Sequence, residues 1–460
     1  MNRKNEINMI DGPIALRLLL FALPFAASSI LQQVFNSADV AVAGRFAGTE
    51  AMAAVGSNAP VINLIINIFV GMSLGANVVI ATLIGRNRTE NIRTAVHTVF
   101  SLALLSGIFL AAAGPFIAKP ILEAIGTPEE VFVLAVLYLR IYFLGMPAVM
   151  VYNFGAAILR SKGDSQRPLY CLAVSGILNV ALNLLLVTVF GMGVAGVGIA
   201  TVISNVLSAL MILFFLLKEE DPLRLDLRKL GMHRAQLLRI VKIGVPAGIQ
   251  GMVFSFSNIC IQGGINSFGS SAMAGSAAAL NFEYFSYFIV SAFTQAATTF
   301  TSQNFGASQF ERCKRIWRLS MIFSILITGA LCLVFVLFRK SFIMIYTVEP
   351  AVISFALVRI VHVESLEFLT STYEVSAGAL RGMGHSMLPA VLTMAGSCLF
   401  RIVWLETVFR KFRSFETLMN VYPVTWIVTG AAVMAAYFIV RRKEYKRHAD
   451  AAQSAGRQIR

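Results

Sequence analysis

Twelve runs of mostly apolar residues constrain this chain more than any motif in it, since a stretch of roughly 20 such residues crosses a bilayer core of about 30 Å. They fall at about 14–43, 52–82, 95–118, 132–160, 169–190, 194–217, 240–266, 273–303, 317–338, 351–381, 388–409 and 417–440. The first run follows a short polar leader and is longer than a signal-peptide core, so it reads as a retained helix. With 57% hydrophobic and 13% charged residues, the composition is that of a polytopic membrane protein rather than a soluble domain.

The chain also repeats itself, at an offset of about 221 residues. Leu159, Arg160, Gly163, Ser165 and Pro168 recur as Leu380, Arg381, Gly384, Ser386 and Pro389, so L-R-x-x-G-x-S-x-x-P stands once in each half. Upstream, Gly85 and Glu90 recur as Gly306 and Glu311, and Gly48, Ala51 and Met52 as Gly269, Ala272 and Met273. An offset of 222 relates Pro24 and Asn36 to Pro246 and Asn258. Six helices per repeat is an even number, so both halves enter the membrane in the same direction, related by an axis along its normal. The expected fold is all-α and polytopic, twelve transmembrane helices in two six-helix pseudo-symmetric lobes. Its expected parts are an N-terminal lobe (1–218), a cytoplasmic linker (219–239), a C-terminal lobe (240–441) and a basic cytoplasmic tail (442–460).

A net charge of +15 invites a nucleic-acid reading, but the basic residues sit in alternate loops, the pattern that orients a membrane protein. The basic loops are Arg86–Arg93, Lys218–Lys242 and Arg312–Arg318, with a tail over Arg441–Arg447, whereas Glu123, Glu129 and Glu130 mark an acidic loop on the other side. Both termini are therefore expected in the cytoplasm of a multi-pass plasma-membrane protein, in the inner membrane of a bacterium. Five scattered cysteines without C-x-x-C and five histidines without ligand spacing give no metal site. No Walker or Gly-rich nucleotide loop is present, so a pump of this kind draws on an ion gradient. No catalytic residue and no cofactor are expected.

Ionisable residues inside membrane helices are kept where they face protein or water. Asp39 lies about 10 Å below the outer end of the first helix at 1.5 Å per residue. Asn179 and Asn183, four apart on one face of the fifth helix, and Thr201 in the sixth fall at the same depth. A carboxyl, amide oxygens and a hydroxyl at one level suit a proton or Na+, while Asn and Thr alone also serve as hydrogen-bonding glue between helices. A buried carboxyl trades a proton as its access to water alternates.

These features resemble the multidrug and toxic compound extrusion transporters. The resemblance covers essentially the whole chain: two six-helix halves, Leu23-Pro24, the N-S-A-D of Asn36 to Asp39 and the paired L-R-x-x-G motifs. It implies ion-coupling roles for Asp39, Asn179 and Thr201, and Asn183 joins them as the fourth expected residue of that site by its place on the same helix face. Asn183 stands where family members often have Asp, and hard cations prefer charged oxygens, which favours protons over Na+. The stretch Phe254 to Asn258 lacks the glutamate many members carry in the seventh helix, so the pattern is closer to the DinF-like than the NorM-like branch. Instead Glu283, Glu364, Glu367, Glu374 and Arg401 lie within the membrane as a substrate-binding or second proton site. On a continuous helix the glutamates at 364, 367 and 374 share one face, and Arg401 is expected to neutralise one glutamate as an ion pair. Arg140 and Arg359 are expected to snorkel or tie helix ends.

The expected function is secondary active efflux of cationic amphipathic drugs or metabolites by a monomer, in exchange for protons or Na+. The alternative is a lipid-linked oligosaccharide flippase of related two-lobe architecture. The acidic midplane residues disfavour it, since a pyrophosphate lipid calls for a cationic cavity.

Overall fold

The computed structural model describes residues 7–458; residues 1–6 and the last two residues of the expected 442–460 tail lie outside the described residues. Among the described residues every regular element is helical, as lipid demands of a chain that must satisfy its own backbone. The elements are α1 (Ile14–Ala47), α2 (Thr49–Gly85), α3 (Thr89–Ala124), α4 (Glu129–Leu144), α5 (Met146–Ser161), α6 (Gln166–Val189) and α7 (Gly193–Leu217). They continue with α8 (Arg234–Asn266), α9 (Ser270–Gly306), α10 (Phe310–Leu337), α11 (Pro350–His362), α12 (Thr370–Gly382), α13 (Met387–Phe409) and α14 (Phe415–His448).

Nine of these are long and apolar enough to cross a membrane among the described residues, and α4 with α5 makes a tenth span bent by 51°. Gly145 caps α4 at the bend, and Pro147 sits in the first turn of α5, where no backbone donor is lost. The other two expected crossings are α9 and the α11–α12 segment. α9 is long but polar, and its hydroxyls bond back one turn: Thr298 to Thr294 O, Thr299 to Gln295 O and Ser302 to Thr298 O. α11 and α12 are separated by a 3₁₀ turn at Glu364–Leu369.

The repeated L-R-x-x-G-x-S-x-x-P is a helix stop followed by a helix start. Gly163 and Gly384 have φ of 104° and 89°, the left-handed conformation that glycine adopts without penalty. The preceding helices close alike: Gly163 N donates to Arg160 O and Asp164 N to Leu159 O, while Gly384 N donates to Arg381 O and His385 N to Leu380 O. Ser165 and Ser386 then stand at the N-caps of α6 and α13, with Pro168 and Pro389 in their first turns.

The chain forms two compact units, Met1–Asn8 with Leu19–Met252, and Met9–Leu18 with Val253–Arg460. This differs from the expected boundary at 219–239, for a physical reason. Glu219 accepts from Lys162 at 2.6 Å and Arg167 at 3.0 Å, and Asp221 from Arg93 at 2.8 Å. The Asp226 and His233 amides donate to His97 Nε2 and Thr98 Oγ1. The charged segment is thereby held on the first unit. Met9–Leu18 belongs to the second unit, where Arg312 and Asn304 donate to the Met9 carbonyl and Arg312 to that of Gly12.

Within the first unit a seam of glycines joins α2 to the first half of α8. A Cβ on Gly71 would lie 2.3 Å from Gly248 N, and one on Gly75 would lie 2.5 Å from Ile240 O. One on Gly244 would lie 2.4 Å from Met72 Cα. Small residues four apart on both helices let the backbones touch, which is how helices gain contact in lipid.

Candidate functional site

In the first unit three helices bring the sequence-predicted polar groups together. Asp39 of α1 is 5% exposed and Asn183 of α6 is fully buried. Asn183 Nδ2 donates to Asp39 Oδ1, and also to Asn179 Oδ1 at 3.2 Å. Thr201 of α7 donates from Oγ1 to Asp39 Oδ2 at 3.2 Å, while also bonding its own Val197 carbonyl at 2.9 Å. The i, i+4 spacing of Asn179 and Asn183 places both amides on one face of α6. The acceptor pair Asp39 Oδ1 and Asn179 Oδ1 fixes the orientation of the Asn183 amide, since its oxygen could not face both. No cation pairs with Asp39 among the described residues, so its carboxyl is held by neutral donors alone.

A π-helical turn follows the site residue on two of these helices, at Ala43–Ala47 after Asp39 and at Leu185–Val189 after Asn183. Such turns concentrate at functional sites because they re-aim side chains. Tyr138 and Tyr142 of α4 lie close enough to feel the Asp39 charge, and Tyr138 reaches Thr201. Sequence reasoning missed both. Their only signal was two hydroxyl-bearing aromatics four apart in an otherwise apolar run.

In the second unit the five predicted residues do not form one cluster. Glu283 of α9 pairs bidentately with Arg359 of α11: Nε to Oε1 at 2.6 Å and Nη2 to Oε2 at 2.9 Å. Glu364 accepts from Ser286, and Glu374 lies 3.5 Å from the Tyr287 hydroxyl. Glu367 is buried near the charges of Glu283, Glu364 and Arg401. The wheel drawn for a continuous helix does not hold, because 364 and 367 lie in the 3₁₀ turn and 374 in α12.

Two expectations are corrected here. Arg401 does not take a glutamate as its ion-pair partner; its Nη1 donates to Asn258 Oδ1 at 2.8 Å, and its guanidinium lies over the rings of Phe254 and Tyr422. The ion pair belongs to Arg359, which therefore does not snorkel: it is 3% exposed. Depth along a helix could not reveal this, because pairing across helices depends on azimuth. Arg140 donates from Nε to Pro115 O at 3.1 Å, inside α3 rather than at its end.

Comparison with known proteins agrees with this architecture. The MatE family profile matches residues 24–185 and 246–405, one match in each repeat. The "Probable multidrug resistance protein YoeA" of Bacillus subtilis is 28% identical, over 93% of this chain and 94% of its own. The "Probable multidrug resistance protein NorM" of Thermotoga maritima is 26% identical, over 85% of each. Among solved structures, a MATE transporter in complex with MaL6 superposes with a TM-score of 0.89 at 20% identity, covering 97% of this chain and 100% of its own. The chain is a membrane transporter of small molecules, not a catalyst, and it belongs to the MatE family of multidrug and toxic compound extrusion proteins.

Proposed function

We propose that this transporter exports amphipathic organic cations in exchange for protons, with Asp39 as the residue that carries the proton. The observation behind this reading is the setting of Asp39: a buried carboxyl, on neutral hydrogen-bond donors only, among three helices of which two carry a π turn just after their site residue. Such a group exchanges a proton without breaking an ion pair. Asn179, Asn183 and Thr201 position it.

The donor set fits a proton better than Na+. The Asn183 amide nitrogen, not its oxygen, stands between Asp39 and Asn179, so hydrogens point where a hard cation needs oxygens. The cationic substrate class is supported by Glu364 and Glu367, buried carboxyls with no salt-bridge partner among the described residues. We take the protein to act as a monomer in a bacterial inner membrane, both termini cytoplasmic, as the loop charges imply. The test is ethidium efflux from proteoliposomes under a pH gradient and, separately, a Na+ gradient. Movement driven by protons and indifferent to Na+ is expected; dependence on Na+ alone refutes the coupling, and no gradient-driven movement refutes the antiport.

A further inference from the structure

Arg401 is fully buried, and its three nitrogens are used unequally. Nη1 is held by Asn258, and the flat faces lie against Phe254 at 5.0 Å and Tyr422 at 4.6 Å. Nε and Nη2 have no hydrogen-bond acceptor among the described residues. These two atoms form one edge of the guanidinium, the edge that grips a carboxylate through two parallel N–H···O bonds. Arg359, in the same unit, uses that same Nε/Nη2 edge on Glu283. Arg401 is thus oriented by an amide and two rings so that both nitrogens of its carboxylate-binding edge are left without an acceptor among the described residues, which burial makes costly.

The internal repeat strengthens the point. The offset of 222 that relates Asn36 to Asn258 also relates Asp39 to Ile261 and Asn179 to Arg401. The π turn at Met394–Leu399 in α13, which precedes Arg401 and has no counterpart before Asn179 in α6, takes up the extra residue relative to Pro168 and Pro389. Where the first repeat carries an acid and an amide, the second carries an isoleucine and a guanidinium. A second π turn follows at Leu405–Phe409, so Arg401 sits on a short α-helical segment with an adaptable turn on either side.

We infer that Arg401, steered by Asn258 and held between Phe254 and Tyr422, is the residue that binds a carboxylate of the transported molecule through its Nε/Nη2 edge. This rests on the reading of the chain as an exporter of amphipathic organic cations and assigns a residue to an acidic group carried on them. The two rings hold the guanidinium plane, so the direction of the Nε/Nη2 edge is fixed before a carboxylate arrives.

The test is equilibrium binding to the purified full-length protein in detergent, by fluorescence anisotropy, of rhodamine B and of its ethyl ester, which differ only in the free carboxylate. The parent is expected to bind the acid about tenfold or more tightly than the ester, the difference two charge-assisted bonds supply. Arg401→Lys keeps the charge but loses the fork, and it is expected to bring the two affinities within about threefold by weakening the acid alone. On the parent itself, benzoate is expected to displace rhodamine B and benzamide is not, which tests the site without any variant. Equal affinity for acid and ester, no binding of either, a preference that survives Arg401→Lys, or equal displacement by benzoate and benzamide each overturns the assignment. No gradient enters these measurements, so failure of proton coupling leaves them intact and is detected separately by the efflux assay.

Discussion

Replacing Glu283 by Gln removes the charge that holds Arg359 inside the second unit, and the structure fixes what that costs. The pair makes two bonds, at 2.6 and 2.9 Å, between side chains that are 4% and 9% exposed. Two charge-assisted bonds at about 1.5–3 kcal/mol each agree with the roughly 3–5 kcal/mol found for breaking a buried pair from one side. The two sides are unequal. A guanidinium cannot shed its proton, so Glu283→Gln leaves a buried cation, whereas Arg359→Met leaves a carboxyl that can take up a proton and become neutral. Glu283→Gln is therefore expected to destabilise by about 3–5 kcal/mol, and Arg359→Met by less. The double variant Glu283→Leu/Arg359→Met, which removes both charges, is expected to lie within about 1 kcal/mol of the parent or above it. Unfolding in detergent by titrated SDS, followed by tryptophan fluorescence, is a suitable assay because Trp317, Trp404 and Trp426 all lie in the second unit. A Glu283→Gln cost below about 1 kcal/mol, or a double variant less stable than that single one, would refute the reasoning.

Gly71→Ala puts a methyl 2.3 Å from Gly248 N and is expected to cost about 1–3 kcal/mol or more by overpacking; the exposed Gly56→Ala in the same helix meets nothing within 4 Å and is expected to gain about 0.5–1 kcal/mol. The SDS titration compares them, and equal effects would contradict the seam. Gly163→Ala and Gly384→Ala both force a left-handed alanine, at about 1–2 kcal/mol. Only Gly163 also meets a carbonyl, that of Ile7 at 2.4 Å, so thermal melting is expected to rank Gly163→Ala as the more damaging, and the reverse order counts against it. Asn183→Asp places a second carboxylate beside Asp39 and is expected to confer Na+-driven ethidium efflux, because hard cations favour charged oxygens; a variant still indifferent to Na+ would show that the donor set does not choose the ion.

What the sequence made legible was whatever follows from distance along one helix. The lengths of the apolar runs located the crossings, and equal depth put Asp39, Asn179, Asn183 and Thr201 together, where the structure joins them by hydrogen bonds. What depends on the angle around a helix was not legible. Glu283 and Arg359 are 76 residues apart, and nothing in either run marks them as partners, while Arg401 gave no sign that Asn258 and two aromatic rings would hold it. The 3₁₀ turn at Glu364–Leu369 and the π turns of α13 change the angle per residue, which defeats a wheel drawn at a fixed 100°. Two features were readable and passed over: Gly71 with Gly75 and Gly244 with Gly248 have the small-x-x-x-small spacing of packed membrane helices, and the repeated L-R-x-x-G carries a helix stop. The unit boundary was hidden because the polarity of 219–239 marks it as a loop, not as a loop pinned by Lys162, Arg167 and His97.

The central claim is that a proton carried by Asp39 drives export, and the most direct measurement is ethidium efflux from proteoliposomes under an imposed pH gradient, parent against Asp39→Asn. Asparagine keeps the shape and the hydrogen bond from Thr201 but cannot exchange a proton. The account predicts gradient-driven efflux in the parent, and in the variant unchanged ethidium binding with efflux down to the leak of protein-free vesicles. Proton-driven efflux that survives the substitution would contradict it and move the coupling to the buried glutamates of the second unit.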